Sequence, residues 1–280
     1  MIQIATIAQM QAQARAWRNV GDRIGLVPTM GFLHAGHMSL IAAARRHAER
    51  VVVSIFVNPT QFGPKEDLAA YPRDLARDSA LCTEAGADAI FTPTPAEMYP
   101  EGASTWVTEE RLSLPLCGER RPGHFRGVTT VVAKLYLAAL PDVAVFGQKD
   151  AQQALVIQRM TRDLNFPIEV VVAPIVREPD GLAMSSRNIY LTPDERLRAL
   201  AIRRSLLAAS QACADGERDT ATLVAQVTQA ITAAGGRVDY VECRDNATLE
   251  LVPTVAAPTL LAVAAYFGKA RLLDNLVLAP

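Results

Sequence analysis

Cysteine is scarce in this chain. Cys82, Cys117, Cys213 and Cys243 are widely separated, with no C-x-x-C pair and no cysteine matched to a histidine at ligand spacing. Neither a disulfide framework nor a zinc site fits that pattern, and reduced thiols without a catalytic role are expected. An excess of either charge is also missing. A net charge of -1 at pH 7 gives no general attraction to nucleic acid or to an anionic membrane, so the partners are expected to be small molecules. No apolar run reaches the roughly 18 residues that a membrane-spanning helix needs. Met1 to Arg18 lacks the basic-then-apolar order of a secretory signal, which points to the cytoplasm. There is no repeat and no low-complexity tract.

What is present is a large supply of core material. Half of the 280 residues are hydrophobic, enough for one large domain or a large and a small one. Aliphatic runs at Ile24–Val27, Val51–Val57, Ala89–Phe91, Val143–Phe146 and Ile168–Val172 lack polar alternation, as strands covered on both faces do. Helical stretches at His37–Ala48, Leu68–Ala85, Gly127–Ala139 and Ala151–Leu164 separate them, so an α/β, doubly wound, Rossmann-like parallel sheet is predicted over residues 1–174. Beyond it come two helices, near Pro193–Ala214 and Thr220–Ala234, then short strands at Val238–Cys243, Leu260–Phe267 and Leu276–Leu278. Residues 175–280 are accordingly predicted to form a smaller C-terminal α+β domain, with the position of a lid.

Ligands of doubly wound sheets sit at the carboxyl ends of the strands. The segment Met30-Gly31-Phe32-Leu33-His34-Ala35-Gly36-His37 leaves such an end and enters a helix. Helix N-termini attract anions through unpaired N–H groups and the helix dipole, and glycine lets the backbone come close to phosphate. His34 and His37, read as an i, i+3 pair on one helical face, would meet phosphate charge as protonated imidazoles; the plain alternative is a cap or a surface pair. A second segment, Met184-Ser185-Ser186-Arg187, offers two hydroxyls and a forked guanidinium, a phosphate-binding set or a solvated loop. Together the two segments resemble the paired signatures of nucleotidyl-transferring enzymes related to class I aminoacyl-tRNA synthetases.

Other strand ends add candidates. Gly147-Gln148-Lys149-Asp150 gives Lys149 a short reach to phosphate and Asp150 a ribose-hydroxyl acceptor, or else a strand terminus with an N-cap. Gln61, in the turn that starts at Asn58, and Gln153, early in the next helix, fit recognition of a small hydroxy acid, because an amide does not titrate. Arg121, within the Arg120–Arg126 basic cluster, is a solvated patch or an anion-steering rim. Asp74 and Asp78, one helical turn apart, are a solvated pair or a reach toward magnesium-bearing nucleotide.

Pro28-Thr29-Met30-Gly31 with His34 and His37, Phe56–Phe62, Tyr71-Pro72-Arg73, Arg121–Phe125, Phe146–Asp150 with Gln153, and Asp180–Asn188 resemble, in order, the motif set of the pantoate-β-alanine ligase family. Cys117 stands where an acidic residue is expected, which puts one local polar contact in doubt. The resemblance implies ATP-dependent condensation of pantoate with β-alanine through a pantoyl adenylate, releasing AMP and pyrophosphate, in a homodimer. It implies that Met30–His37, Gly147–Asp150, Val176 and Met184–Arg187 hold ATP, with His34, His37 and Lys149 catalytic and His37 the usual proton donor. Gln61, Gln153, Asn58 and Arg121 would serve the other substrates, and Mg2+ would bridge phosphate oxygens. The competing readings are a nucleotidyltransferase that releases a stable nucleotide conjugate and a non-catalytic ATP-binding module.

Overall fold

Unalternating valine and isoleucine runs become strands sealed on both faces. The computed structural model describes every residue except Lys65 and Asp67. In chain order the larger unit has β1 (Ile2–Ile4), α1 (Ile7–Asn19), β2 (Ile24–Thr29), α2 (Ala35–Arg45), β3 (Arg50–Ile55), α3 (Leu75–Glu84), β4 (Ala89–Phe91), α4 (Pro95–Met98), α5 (Cys117–Arg120), α6 (His124–Ala139), β5 (Val143–Gly147), α7 (Ala151–Asp163) and β6 (Glu169–Ala173). Among the described residues its strands make one six-stranded sheet in the order β1-β4-β3-β2-β5-β6, every neighbouring pair parallel. The chain runs outward from β2 to β3 and β4, then returns to start the other half at β5 beside β2, and this reversal opens a crevice at the strand ends. Between α2 and the sheet, Leu33, Ile41, Ala44, Val51 and Val53 share a buried core. A side chain at Gly25 would lie 3.2 Å from the Ala44 Cβ, so the closeness of β2 to α2 depends on small residues.

The second unit has α8 (Pro193–Ala214), α9 (Thr220–Ala233), β7 (Arg237–Asp245), β8 (Thr259–Phe267) and β9 (Ala270–Leu278). Its strands form an antiparallel sheet in the order β7-β8-β9, the α+β texture expected from the sequence. Leu223, Val227 and Ile231, at fourfold spacing along α9, pack with Leu206 of α8 and with Val263 and Phe267 of β8. Division by compactness places Met1–Gln148 and Gln152–Pro174 in the first unit, and Lys149–Ala151 with Ile175–Pro280 in the second. No helix among the described residues is long and apolar enough to cross a membrane.

Several elements differ from the sequence expectations. β1 and α1 were not anticipated; α1 is polar on average, and its signal is the narrow stripe of Met10, Ala14 and Trp17. α3 starts at Leu75 rather than Leu68, because Pro72 disfavours helix before it and the Asp74 side chain caps the helix by accepting from Arg77 N. α2 starts at Ala35 rather than His37, with His34 as its N-cap. β9 is much longer than Leu276–Leu278, since residues 270–275 pair with β8 throughout. Phe267 is a large side chain wholly inside the second unit. Phe267→Ala is expected to destabilise the protein by about 3–5 kcal/mol, the range for removing a core aromatic, as measured by denaturant unfolding.

Candidate active site

The turn from β2 into α2 is held by a buried carboxylate. Asp78, on α3 and only 1% exposed, accepts from Phe32 N at 2.7 Å and from Leu33 N at 2.8 Å, one bond on each oxygen. The turn needs this clamp: Gly31 has φ 84°, Phe32 has φ 49°, and left-handed backbone at a bulky residue costs energy. A side chain at Gly31 would come within 3.0 Å of the Asp78 carboxylate, so glycine is required for conformation and for space. The Arg77 guanidinium lies over the Phe32 ring, 5.1 Å from its centroid. Asp78 is thus not a solvated partner of Asp74: each of its oxygens holds a backbone amide. Its charge, after burial, also helps push the Cys82 thiol up to about 12, so that thiol stays protonated at neutral pH.

The two histidines are not an i, i+3 pair on one helical face. His34 lies outside the helix as N-cap, with its Nδ1 accepting from Gly36 N, while the His37 Nδ1 accepts from His34 N, each at 3.2 Å. The rings lie 4.1 Å apart between centroids. A ring that accepts at Nδ1 is neutral there and carries its proton on Nε2, so in this arrangement both imidazoles are Nε2–H donors, not the protonated pair expected from the sequence. The bland reading, a cap, and the functional one, a phosphate donor pair, are thus compatible: the cap fixes the tautomer.

Beside this turn, the loop after β3 brings other predicted residues together. Gln61 Nε2 donates to the Met30 sulfur at 3.2 Å, and Asn58 Nδ2 donates to Gln61 Oε1 at 3.0 Å and to the Gly127 carbonyl at 3.1 Å. Tyr99, not singled out in the sequence, donates its hydroxyl to Asn58 Oδ1 at 2.9 Å. α6 passes so close that a side chain at Gly127 would lie 2.6 Å from the Thr60 carbonyl oxygen. Gln153 lies in the first turn of α7, and Gly147 ends β5 opposite Ala173. Gln152, next to Gln153, is buried and ties the start of α5 to the segment before it, accepting from Cys117 N at 3.0 Å and donating to the Leu112 carbonyl at 2.8 Å.

Arg121 belongs neither to a solvated patch nor to an open anion rim. It binds Glu66 through two bonds of 2.7 Å, and its Nη1 meets His124 Nε2 at 3.1 Å. His124 Nδ1 faces the Gln61 carbonyl at 2.9 Å and must donate to it, so the neutral ring accepts from Arg121 at Nε2. Arg121 and His124 of the basic cluster therefore support Gln61. Burial alone would raise the Glu66 pKa, but the hydrogen bond and charge of Arg121 outweigh it and hold the carboxyl below its usual range.

In the second unit, Lys149 and Ser185 line one cleft together with Leu182, Ala183 and Asp274. Val176 and Met184 pair across a hairpin, Met184 N donating to the Val176 carbonyl at 3.0 Å, and Ser185 Oγ caps the following turn by accepting from Arg187 N at 3.3 Å. Ser186 and Arg187 begin that 3-10 turn, whereas Gln148, Lys149 and Asp150 form another after β5. The hairpin is braced by residues the sequence did not single out. Arg177 binds Asp274 through two bonds of 2.7 and 2.9 Å, and Asn188 donates to Glu178 at 2.6 Å. Nothing in local sequence joins Arg177 to a strand near the end of the chain.

A parallel sheet whose first reversal carries a clamped, glycine-bearing helix start defines an α/β protein of the anion-binding, doubly wound class. The family model for pantoate-β-alanine ligase matches residues 2–277. A relative named pantothenate synthetase 1, from Bradyrhizobium diazoefficiens, is 55% identical over 277 residues, covering 99% of this chain and 98% of its own. The crystal structure of pantothenate synthetase from Thermus thermophilus superposes with a TM-score of 0.94 at 46% identity, with 100% of both chains covered. A pantoate-β-alanine ligase from Francisella tularensis, solved with β-γ ATP and β-alanine, has a TM-score of 0.84 at 33% identity, covering 99% of this chain and 97% of its own. The chain belongs to the pantoate-β-alanine ligase family and is an enzyme of the ligase class.

Asp78→Asn keeps the volume but replaces two charge-assisted acceptors by one neutral acceptor and a donor aimed at an amide. A loss of about 3 kcal/mol of stability is expected, with faster hydrogen exchange at Phe32 and Leu33 than elsewhere in the first unit. For Glu66 the sign follows from its lowered pKa. Its contribution to stability is fully present above the ordinary glutamate value of about 4.3 and is lost as pH falls through the lower folded value. Glu66→Gln is expected to remove that part of the acid dependence, as seen in unfolding curves of both proteins across that range.

Proposed function

We propose that this enzyme condenses pantoate with β-alanine at the expense of ATP, through a pantoyl adenylate. A pantoate carboxylate oxygen attacks the α-phosphorus and the bond to pyrophosphate breaks. The β-alanine amine then attacks the activated carbonyl carbon, and AMP departs with the bridging oxygen. Adenylation converts a poor acyl donor into a good one, and the protein's work is positioning and stabilisation of phosphate charge. The observation that carries this reading is the start of α2, where Asp78 fixes Phe32 and Leu33 and the reciprocal cap makes His34 and His37 Nε2–H donors. The Francisella complex with β-γ ATP and β-alanine supports the same substrates for this chain.

In this proposal Met30–His37, Gly147 and Gln148 of the first unit bind nucleotide, as do Lys149, Asp150, Val176 and Met184–Arg187 of the second. Gln61 and Gln153 recognise pantoate; Asn58, buried with its amide bonded to Gln61, Gly127 and Tyr99, does not contact substrate and acts through Gln61, as does Arg121, which with His124 holds the Gln61 carbonyl. Magnesium is assigned to the phosphates of ATP, whose charge it would neutralise. Homodimer formation and a cytoplasmic location belong to the same proposal; sedimentation and cell fractionation test them.

Magnesium-bound pyrophosphate is a weakly basic leaving group, so His37 acts as hydrogen-bond donor without full proton transfer. His37→Gln, which keeps a donor but cannot titrate, is expected to retain more activity than His37→Ala; equal losses would count against this role. The reaction itself is tested with ATP, magnesium and pantoate carrying 18O in its carboxylate, with and without β-alanine. Pantothenate and AMP formed in step, only with both substrates and with label in the AMP phosphate, are expected. A stable nucleotide conjugate, or binding of ATP without turnover, would overturn the proposal.

A further inference from the structure

Lys149 follows β5 in the chain, but a residue far along the sequence holds its main chain. Asn275, on β9 and 5% exposed, donates Nδ2 to the Lys149 carbonyl at 3.0 Å. The preceding residue, Asp274, is 4% exposed, accepts from Asn275 N at 2.8 Å and binds both terminal nitrogens of Arg177. Arg177 Nη1 also reaches the Gly181 carbonyl at 3.2 Å, in the turn of the hairpin that leads to Ser185. Asp274 lines the same cleft as Lys149 and Ser185. One dipeptide of β9 therefore fixes the two places from which the second unit presents phosphate-binding groups, and β9 is itself registered along its length on β8.

We infer that Asn275 is a positioning residue for the ligase reaction: by holding the Lys149 carbonyl it sets where the Lys149 ammonium can reach, and so acts on phosphate charge through Lys149. A buried side-chain amide on a lysine's main chain leaves the lysine side chain available for ligand while removing backbone freedom that binding would otherwise have to remove. The inference rests on the proposed role of Lys149 and adds to it the element that delivers that side chain.

A double-mutant cycle tests it, with AMP formation from ATP, pantoate and β-alanine as readout and unfolding temperature recorded for each protein. Asn275→Ala is expected to lower kcat about tenfold, the order expected for one anchoring hydrogen bond, with KM for pantoate unchanged. In a Lys149→Ala background the same substitution is expected to change kcat by less than about twofold, because the group it positions is gone. Equal fold-losses in both backgrounds would mean a merely structural role and would overturn the inference, as would no loss in the wild-type background. Full activity of Lys149→Ala alone would overturn the reading of Lys149 and this inference with it, and is told apart by that single variant. Should Asn275→Ala not fold, Asn275→Asp, which keeps the shape and removes the donor to the carbonyl, is decisive in the same cycle.

Discussion

A single carboxylate decides the geometry of the turn from β2 into α2. Asp78 satisfies two amides of a segment that has to leave β2, pass through left-handed backbone at Gly31 and Phe32, and present the start of α2. Without an internal acceptor those amides would be buried and unpaired, at a cost comparable to the strain itself. The clamp therefore makes a turn that is unfavourable in isolation into the rigid part of the site. Everything downstream of it, the N-cap, the histidine tautomers and the contact of Gln61 with Met30, depends on where that turn is held.

Charge is used sparingly and by neutralisation. Arg121 is spent on Glu66, His124 is a neutral bridge, and both support the Gln61 carbonyl. Such a loop keeps its own charges paired, which suits the proposed role of Gln61 in recognising a small hydroxy acid by neutral groups. In the second unit Lys149 and Ser185 share a cleft.

Much of this was legible in sequence. The parallel strands followed from aliphatic runs that do not alternate, and the candidate turns lie where those runs end. The family signature also lay in contiguous stretches. What was missed involved distant partners or weak local signals. α1 is too polar to announce itself except through Met10, Ala14 and Trp17. The clamp by Asp78, the support of Gln61 by Arg121, and the anchoring of Lys149 by Asn275 join residues whose separation in sequence carries no pattern.

The sequence by itself determined most of the segments that are strands and helices, and the family to which the chain belongs, because each is written in local periodicity or in a contiguous motif. Only the tertiary structure decided the state of each side chain. It made Asp78 the clamp of two backbone amides, set the Nδ1 atoms of His34 and His37 to accept from backbone N–H groups, and made Arg121 the paired support of a loop. The reason is that a polar group's role is fixed by the partner it meets when buried, and that partner is chosen by the fold.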